Sequence, residues 1–182
     1  IFYSKVYDDI AFAMRNIGMD EKTIKERINK ALVAVNGIDF IDRPVHFLSY
    51  GQKKRVAIAS VIAMENEIVL LDEPTAGLDP VSTRSIVDII KGLNKNNIKI
   101  VISSHDMNLM YEICDYIYVL DKGILIDEGK AENVFINENN IIQAGLESPW
   151  LVKVHRNMNL PLFKKEEDLY KYWKERELNT NK

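Results

Sequence analysis

The chain has 182 residues, of which 47% are apolar and 28% charged, a composition typical of a folded globular domain. Its 24 basic and 27 acidic residues leave a net charge of −3, which does not favour a nucleic-acid-binding protein. The longest mainly apolar stretch, Val56 to Met64 with Ser60 inside it, is less than half of the roughly 20 residues that a membrane-spanning helix needs. The single cysteine, Cys114, excludes an internal disulfide bond and fits a reducing compartment.

Two helices are predicted in the first third of the chain. The first covers residues 20–36, with Asp20 as its N-cap and Gly37 at its end. The second runs from about Ser49 to Met64, and its second half is apolar on all sides, which predicts a buried helix.

Short apolar strands then alternate with helices. A buried strand is predicted at residues 68–71, which form a short continuous apolar run, and another at residues 98–103. A helix is predicted between them, with Asp79 as its N-cap and Pro80 as its first residue. The later predicted elements are a helix at 106–113, a strand at 116–120 and its hairpin partner at 124–127, and a charged helix at 166–177. This alternation predicts an α/β fold with a mainly parallel sheet.

Polar residues follow both predicted strands, where the ligands of parallel sheets bind. The first strand is followed by Asp72 and Glu73, which point to opposite sides of an extended chain. One of them can hold Mg²⁺ through water while the other orients or deprotonates an attacking water, as in P-loop nucleotide hydrolases. Alternatively, both carboxylates only cap the next turn. The second strand is followed by residues 104–106, Ser-His-Asp.

Basic residues at 53–55 lie at the start of the second predicted helix, where acidic residues are normally found. An anion bound at this helix start would remove the conflict. Gly51 would then allow close approach of the backbone, and the Ser49 hydroxyl would donate a hydrogen bond. The alternative is a solvated basic surface paired with acidic neighbours.

Four segments resemble the motifs of ABC-type ATPases, in the same order and spacing. Residues 48–52, LSYGQ, resemble the LSGGQ signature, and residues 68–73, IVLLDE, resemble the Walker B strand. Residues 76–79, AGLD, resemble the D-loop, and residues 104–106 resemble the switch-histidine segment. The resemblance implies a P-loop NTPase-like α/β fold with a helical signature subdomain.

Three further segments are similar to the ATPase subunits of energy-coupling-factor (ECF) transporters, the cobalt-type family. They are the signature helix at 51–60, the segment VYDDIAF at 6–12 and the segment QAGLESP at 143–149. The resemblance divides the chain into a helical signature subdomain at 1–65, the remainder of the catalytic core at 66–144 and a small C-terminal extension at 145–182.

The family works as a head-to-tail dimer that encloses two ATP molecules, and this implies roles for individual residues. For nucleotide binding, Ser49, Gly51 and Gln52 would contact the γ-phosphate of the ATP that the partner subunit holds. Asp72 would lie near Mg²⁺ and bind it through water. Glu73 would be the general base.

The same resemblance implies a bridging role for His105 and a set of partners. His105 would connect the γ-phosphate to the D-loop of the opposite subunit, near Asp79. The partners would be an identical or related ATPase subunit, a membrane-embedded ECF coupling protein and a substrate-binding component, at the cytoplasmic face of the cell membrane. No nucleic acid is expected, and the substrate would be cobalt, nickel or a vitamin.

The Walker A motif, G-x-x-x-x-G-K-[ST], does not occur in these 182 residues. Gly129 and Lys130 form the single Gly-Lys pair, and Ala131 follows them. The Q-loop glutamine would lie just before Ile1. We therefore expect this chain to be the C-terminal two-thirds of a subunit, with little or no ATPase activity alone. The alternatives are a soluble ABC ATPase without a transporter and an inactive truncated gene product.

Overall fold

The computed structural model describes residues 5–180. Ile1, just before which the Q-loop glutamine was predicted, lies outside the described residues. The chain divides into two compact units, one up to Ser103 and one from Ser104 onward. The boundaries predicted after residues 65 and 144 stay predictions. No described helix has the long apolar stretch that a bilayer-spanning segment requires.

Three packed helices begin the first unit: α1 (Val6–Asn16), α2 (Glu21–Ala34) and α3 (Tyr50–Ala63). Helix α1 was not among the predicted elements. Its buried residues have helical spacing, and they are Val6, Ile10, Ala11 and Met14. The pattern was therefore present in the sequence, in a segment interpreted only through its family resemblance.

The predicted helix boundary at Asp20 is confirmed, because its carboxylate accepts hydrogen bonds from the Lys22 and Thr23 amides. The expectation that the second half of α3 is buried is wrong in part. Val56 and Ile58 are buried, whereas Val61 and Ile62 are half-buried and Ala57 is exposed. Helices α1 and α2 both pack against α3, but they do not surround it.

A two-stranded parallel sheet follows, formed by β1 (Ile68–Asp72) and β2 (Lys99–Ser103). Helix α4 (Pro80–Lys95) connects the strands and buries Ile86, Val87, Ile89, Ile90 and Leu93. The prediction of fully buried strands is wrong. In β1, Val69 and Leu71 are buried, but Leu70 is 74% exposed, because the core of this unit lies on one face of the sheet.

The second unit contains an antiparallel hairpin and short helices. The hairpin joins β3 (Tyr116–Asp121) to β4 (Ile124–Lys130), as predicted, through a turn in which Lys122 and Gly123 have positive φ angles. The helices are α5 (Met107–Ile113), α6 (Ala131–Ile136), α7 (Glu138–Gln143), α8 (Trp150–Met158) and α9 (Glu166–Thr180). Of these, the sequence predicted α5 and α9. The α/β class is confirmed, with one parallel and one antiparallel strand pair among the described residues.

Candidate functional site

The first turn of α3 carries the three residues predicted to contact a phosphate. Ser49 is the N-cap of the helix, and its Oγ accepts a hydrogen bond from the Gln52 amide at 3.3 Å. The Gln52 side-chain oxygen in turn accepts from the Ser49 amide at 2.9 Å, which completes a capping box. This box fixes the helix start and leaves the Ser49 hydroxyl hydrogen able to donate to a ligand.

Gly51 lies directly against the start of α4. A Cβ atom at Gly51 would be 2.9 Å from the Ser82 Oγ and 3.2 Å from the Ser82 Cβ. Beside it, the Tyr50 ring would lie 3.4 Å from a Cβ at Gly77, whose φ angle is +73°. The two glycines therefore allow the signature turn and the D-loop segment of the same subunit to pack closely.

Asp72 and Glu73 lie where β1 ends, next to the end of β2. Asp72 and Ser103 are partners in the parallel register, and the Ser103 hydroxyl donates to one Asp72 carboxylate oxygen. The Glu73 amide donates to the Ser103 carbonyl at 2.9 Å. Asp72 is exposed and Glu73 is half-buried, so the two neighbouring carboxylates occupy different environments. The expectation that both lie on an extended chain is wrong, because β1 ends at Asp72.

Glu73 has an unusual backbone conformation. Its φ angle is +43°, in the left-handed region that non-glycine residues rarely adopt. Pro74 follows, and a residue before proline ordinarily prefers an extended conformation. The Glu73 carbonyl accepts hydrogen bonds from the Lys54 ammonium at 2.8 Å and from the Ala76 amide at 3.3 Å.

Two of the three basic residues at the start of α3 bind backbone carbonyl groups. Lys54 reaches the Glu73 carbonyl, and the Arg55 guanidinium donates to the Asn36 carbonyl at 3.0 Å. Asn36 also has a positive φ angle, of 50°. Neither interpretation of the basic run included this arrangement, in which two cations bind the carbonyls of two left-handed residues.

Asp79 is the N-cap of α4, as predicted. Its carboxylate accepts hydrogen bonds from the Val81 amide at 3.0 Å, the Ser82 amide at 2.9 Å and the Ser82 hydroxyl at 2.6 Å. The Ser82 hydroxyl bond, followed by the backbone amide bonds, lowers the pKa of Asp79 below its ordinary value. Through Ser82, this cap is connected to the close approach at Gly51.

We expect the contribution of this cap to stability to depend on pH. Because the pKa of Asp79 is lower in the folded state, the cap stabilises α4 fully above about pH 4, where an unfolded aspartate is ionised, and less as the pH falls through the folded-state pKa. Asp79→Ala should lower the urea midpoint at pH 7, and the difference from the unsubstituted chain should shrink towards pH 3. Asp88→Ala, at an exposed position in the middle of α4, is the matched control. A difference that persists undiminished at pH 3 would contradict this account.

His105 lies in the second unit, between the end of β2 and α5. It is exposed, and its neighbour Ser104 accepts a hydrogen bond from the Asp106 amide at 3.2 Å. Asp106 caps α5, because its carboxylate accepts a hydrogen bond from the Leu109 amide at 3.0 Å. The structure therefore brings Ser49, Gly51 and Gln52 together in α3, and Asp72 and Glu73 together at β1, while His105 belongs to the other unit.

Three residues with specific contacts at this site were not among the predicted site residues. Ser103 binds both Asp72 and Glu73, Ser82 binds Asp79 and packs on Gly51, and Lys54 binds Glu73. The position of Ser103 could have been inferred from the sequence, because two parallel strands that end in register bring their last residues together. The contacts of Ser82 and Lys54 depend on tertiary packing.

Asp72 fits the Mg²⁺ ion of a nucleotide site, and the start of α3 fits the phosphate groups of a nucleotide. Asp72 is an exposed carboxylate with one oxygen bound by Ser103, which suits a hard cation bound through water. The start of α3 offers free backbone N–H groups and a hydroxyl for phosphate oxygens. Among the described residues no group of three His, Cys, Asp or Glu side chains forms a metal cluster. Bound Mg²⁺ supplies charge neutralisation for phosphoryl transfer.

Comparison with known proteins identifies the family. A family model described as "AAA domain, putative AbiEii toxin, Type IV TA system" matches residues 7–110. The cobalt import ATP-binding protein CbiO of Salmonella typhimurium is 43% identical over 170 residues, which are 93% of this chain and 63% of that protein. The energy-coupling factor transporter ATP-binding protein EcfA of Carboxydothermus hydrogenoformans is 43% identical over 154 residues, 85% of this chain and 57% of that protein.

The chain belongs to the ATP-binding proteins of ABC transporters, in the group of CbiO and EcfA. The structure of cbiO1 from Clostridium perfringens, described as part of the ABC transporter complex cbiONQ, superimposes with a TM-score of 0.69 at 36% identity, covering 86% of this chain and 62% of that one. The fold is therefore that of an ABC ATPase domain. The chain spans about 63% of the length of CbiO.

Proposed function

We propose that this chain is the larger, C-terminal part of an ATP-hydrolysing subunit that powers an ECF-type importer. The observation that carries the proposal is the pair of carboxylates at the end of β1. Asp72 is hydrogen-bonded to Ser103 and exposed, and Glu73 is half-buried in a fixed backbone conformation. One carboxylate is suited to a hydrated cation and the other to the attacking water.

In this proposal the Glu73 carboxylate orients the water and accepts its proton. Ser103 and Lys54 hold the backbone of Glu73 in place. Ser49, Gly51 and Gln52 bind the γ-phosphate of a nucleotide on a second ATPase subunit, identical or related. His105 bridges the γ-phosphate and the D-loop of the opposite subunit, near Asp79. Asp72 holds the Mg²⁺ ion through water.

The partners we propose follow from the relatives. CbiO is named for cobalt import and EcfA for an energy-coupling factor transporter, and the cbiO1 structure is part of a transporter complex. We propose that this subunit docks on a membrane-embedded coupling protein at the cytoplasmic face of the membrane. A separate substrate-binding component would select cobalt, nickel or a vitamin.

The test compares this chain with the completed subunit, meaning this chain extended upstream to the length of its relatives by the sequence that its gene encodes. We expect the completed subunit to hydrolyse ATP and this chain alone to have little or no turnover, since residues 1–182 contain no Walker A motif. Turnover by the short chain would show that it does not lack its phosphate-binding loop. A gene without a Walker A motif upstream would favour the inactive truncated product.

A second measurement separates a transporter subunit from a soluble ABC ATPase. The completed subunit is expressed with an affinity tag from its own chromosomal locus, and membranes are solubilised in mild detergent before purification. We expect a membrane protein to copurify in stoichiometric amount. An active ATPase that purifies without one would favour the soluble alternative.

A further inference from the structure

Lys54 links the start of the signature helix to the peptide that carries the proposed base. Its ammonium donates to the Glu73 carbonyl at 2.8 Å, across 19 residues of sequence, and this hydrogen bond is partly buried. A hydrogen bond from a charged donor is roughly twice as strong as a neutral one. The contact therefore connects two segments that the proposed mechanism uses separately.

Glu73 needs such external contacts because its own conformation is costly. A non-glycine residue in the left-handed region is strained and persists only where its surroundings hold it. Its amide is bound by the Ser103 carbonyl, and its carbonyl is bound by Lys54 and the Ala76 amide. Among these contacts to the Glu73 backbone, the bond from Lys54 is the one made by a charged group.

The lysine itself is held in place by its own helix. Tyr50 is one turn earlier on α3, and its ring centroid lies 5.8 Å from the Lys54 ammonium. The same ring packs on Gly77 in the segment that follows Glu73. The face of α3 that carries Tyr50 and Lys54 is thus directed at residues 73–77, so a shift of this helix start would move the Glu73 peptide.

We propose that Lys54 is a positioning residue for ATP hydrolysis, which fixes the direction of the Glu73 carboxylate according to the position of the signature helix. This inference rests on the proposed function, because it assigns Glu73 the base and α3 the contact to a nucleotide on the second subunit. Lys54 touches neither water nor phosphate in this proposal, and acts through the backbone of Glu73.

The test uses the completed subunit and compares kcat with KM. Lys54→Met keeps most of the side chain but removes the donor, and we expect kcat to fall about tenfold because a misplaced catalytic group loses rate steeply. KM for ATP should change less than twofold, since Lys54 does not contact the nucleotide. Lys54→Arg retains a donor and should recover most of the loss.

The double variant Lys54→Met/Glu73→Gln distinguishes positioning from a general structural defect. If Lys54 acts through Glu73, the double variant turns over ATP no more slowly than Glu73→Gln alone. If the two losses multiply, Lys54 acts independently and the inference is wrong. Lys53→Met removes the same charge from the same turn, and an equal fall in kcat for this variant would also overturn the inference.

Amide hydrogen exchange gives a readout that does not depend on activity. The Ala76 amide shares the Glu73 carbonyl with Lys54, and we expect its exchange in the completed subunit to quicken several-fold in Lys54→Met. Unchanged exchange together with unchanged kcat would overturn the inference while leaving the proposed function intact. Normal turnover in Glu73→Gln would instead refute the proposed function.

Discussion

Glu73→Gln in the completed subunit is expected to lower ATP turnover about 100-fold or more, because general base catalysis contributes roughly 10²–10⁴ in rate. Glutamine has nearly the same shape as glutamate but cannot accept the proton of the attacking water. The hydrogen bonds to Ser103, Lys54 and Ala76 use the backbone amide and carbonyl of Glu73, and the substitution leaves both groups in place. KM for ATP should therefore stay within about twofold, which steady-state kinetics measures directly.

The matched control is Glu67→Gln at the other end of β1. Glu67 is exposed and precedes Ile68, so it lies about 20 Å along the strand from Glu73. Its backbone carbonyl, which the substitution leaves unchanged, accepts the Lys99 amide at 2.9 Å. This variant should hydrolyse ATP normally. Equal turnover in Glu73→Gln and the unsubstituted subunit would refute the assignment of the base.

Phe135→Ala is expected to destabilise the second unit by about 3–5 kcal/mol. Phe135 is fully buried in α6, and its ring packs edge-on against Tyr111 of α5, with 5.7 Å between the centroids and an angle of 86° between the planes. Truncation would leave a cavity on one side of Tyr111. The Tyr111 hydroxyl is already buried without a hydrogen-bond partner among the described residues, and burial raises its pKa to about 12.

Hydrogen exchange of peptides from β3, β4 and α6 measures this effect locally, which is preferable to a global unfolding midpoint in a protein of more than one unit. We expect their protection to fall by about a thousandfold, the equilibrium equivalent of 4 kcal/mol. Ile136→Ala is the control, because Ile136 is the next residue of the same helix and is 46% exposed. If both substitutions lower the hydrogen-exchange protection equally, the burial of Phe135 does not stabilise this unit as we expect.

The sequence predicted the features that depend on neighbouring residues. The caps at Asp20 and Asp79, the start of α3 near Ser49 and the turn at 122–123 are local, because each is formed within a few positions of chain. The placement of Asp72 beside Ser103 was also accessible in principle, since both end strands of one parallel pair.

Other features depend on long-range packing and could not be predicted in this way. The bond from Lys54 to Glu73 needs α3 to lie against the end of β1, and nothing in the sequence around either residue specifies that. Burial of a strand also depends on which elements pack on each face of its sheet. The apolar run at residues 68–71 therefore predicted that Leu70 is buried, whereas it is exposed. Helices α6 and α7 have six residues each, too few for a helical periodicity to be detected.

The exposed apolar faces of the two strand pairs have a consequence for the lifetime of this chain in a cell. Leu70 and Val101 on one pair, and Tyr118 and Leu120 on the other, are each more than half exposed. Strand segments that are apolar, β-prone and low in charge are the sequences that aggregate and that chaperones and proteases act on. Degradation and aggregation would then set the steady-state amount of the isolated polypeptide. Coexpression with a protein segment that covers these faces would raise that amount.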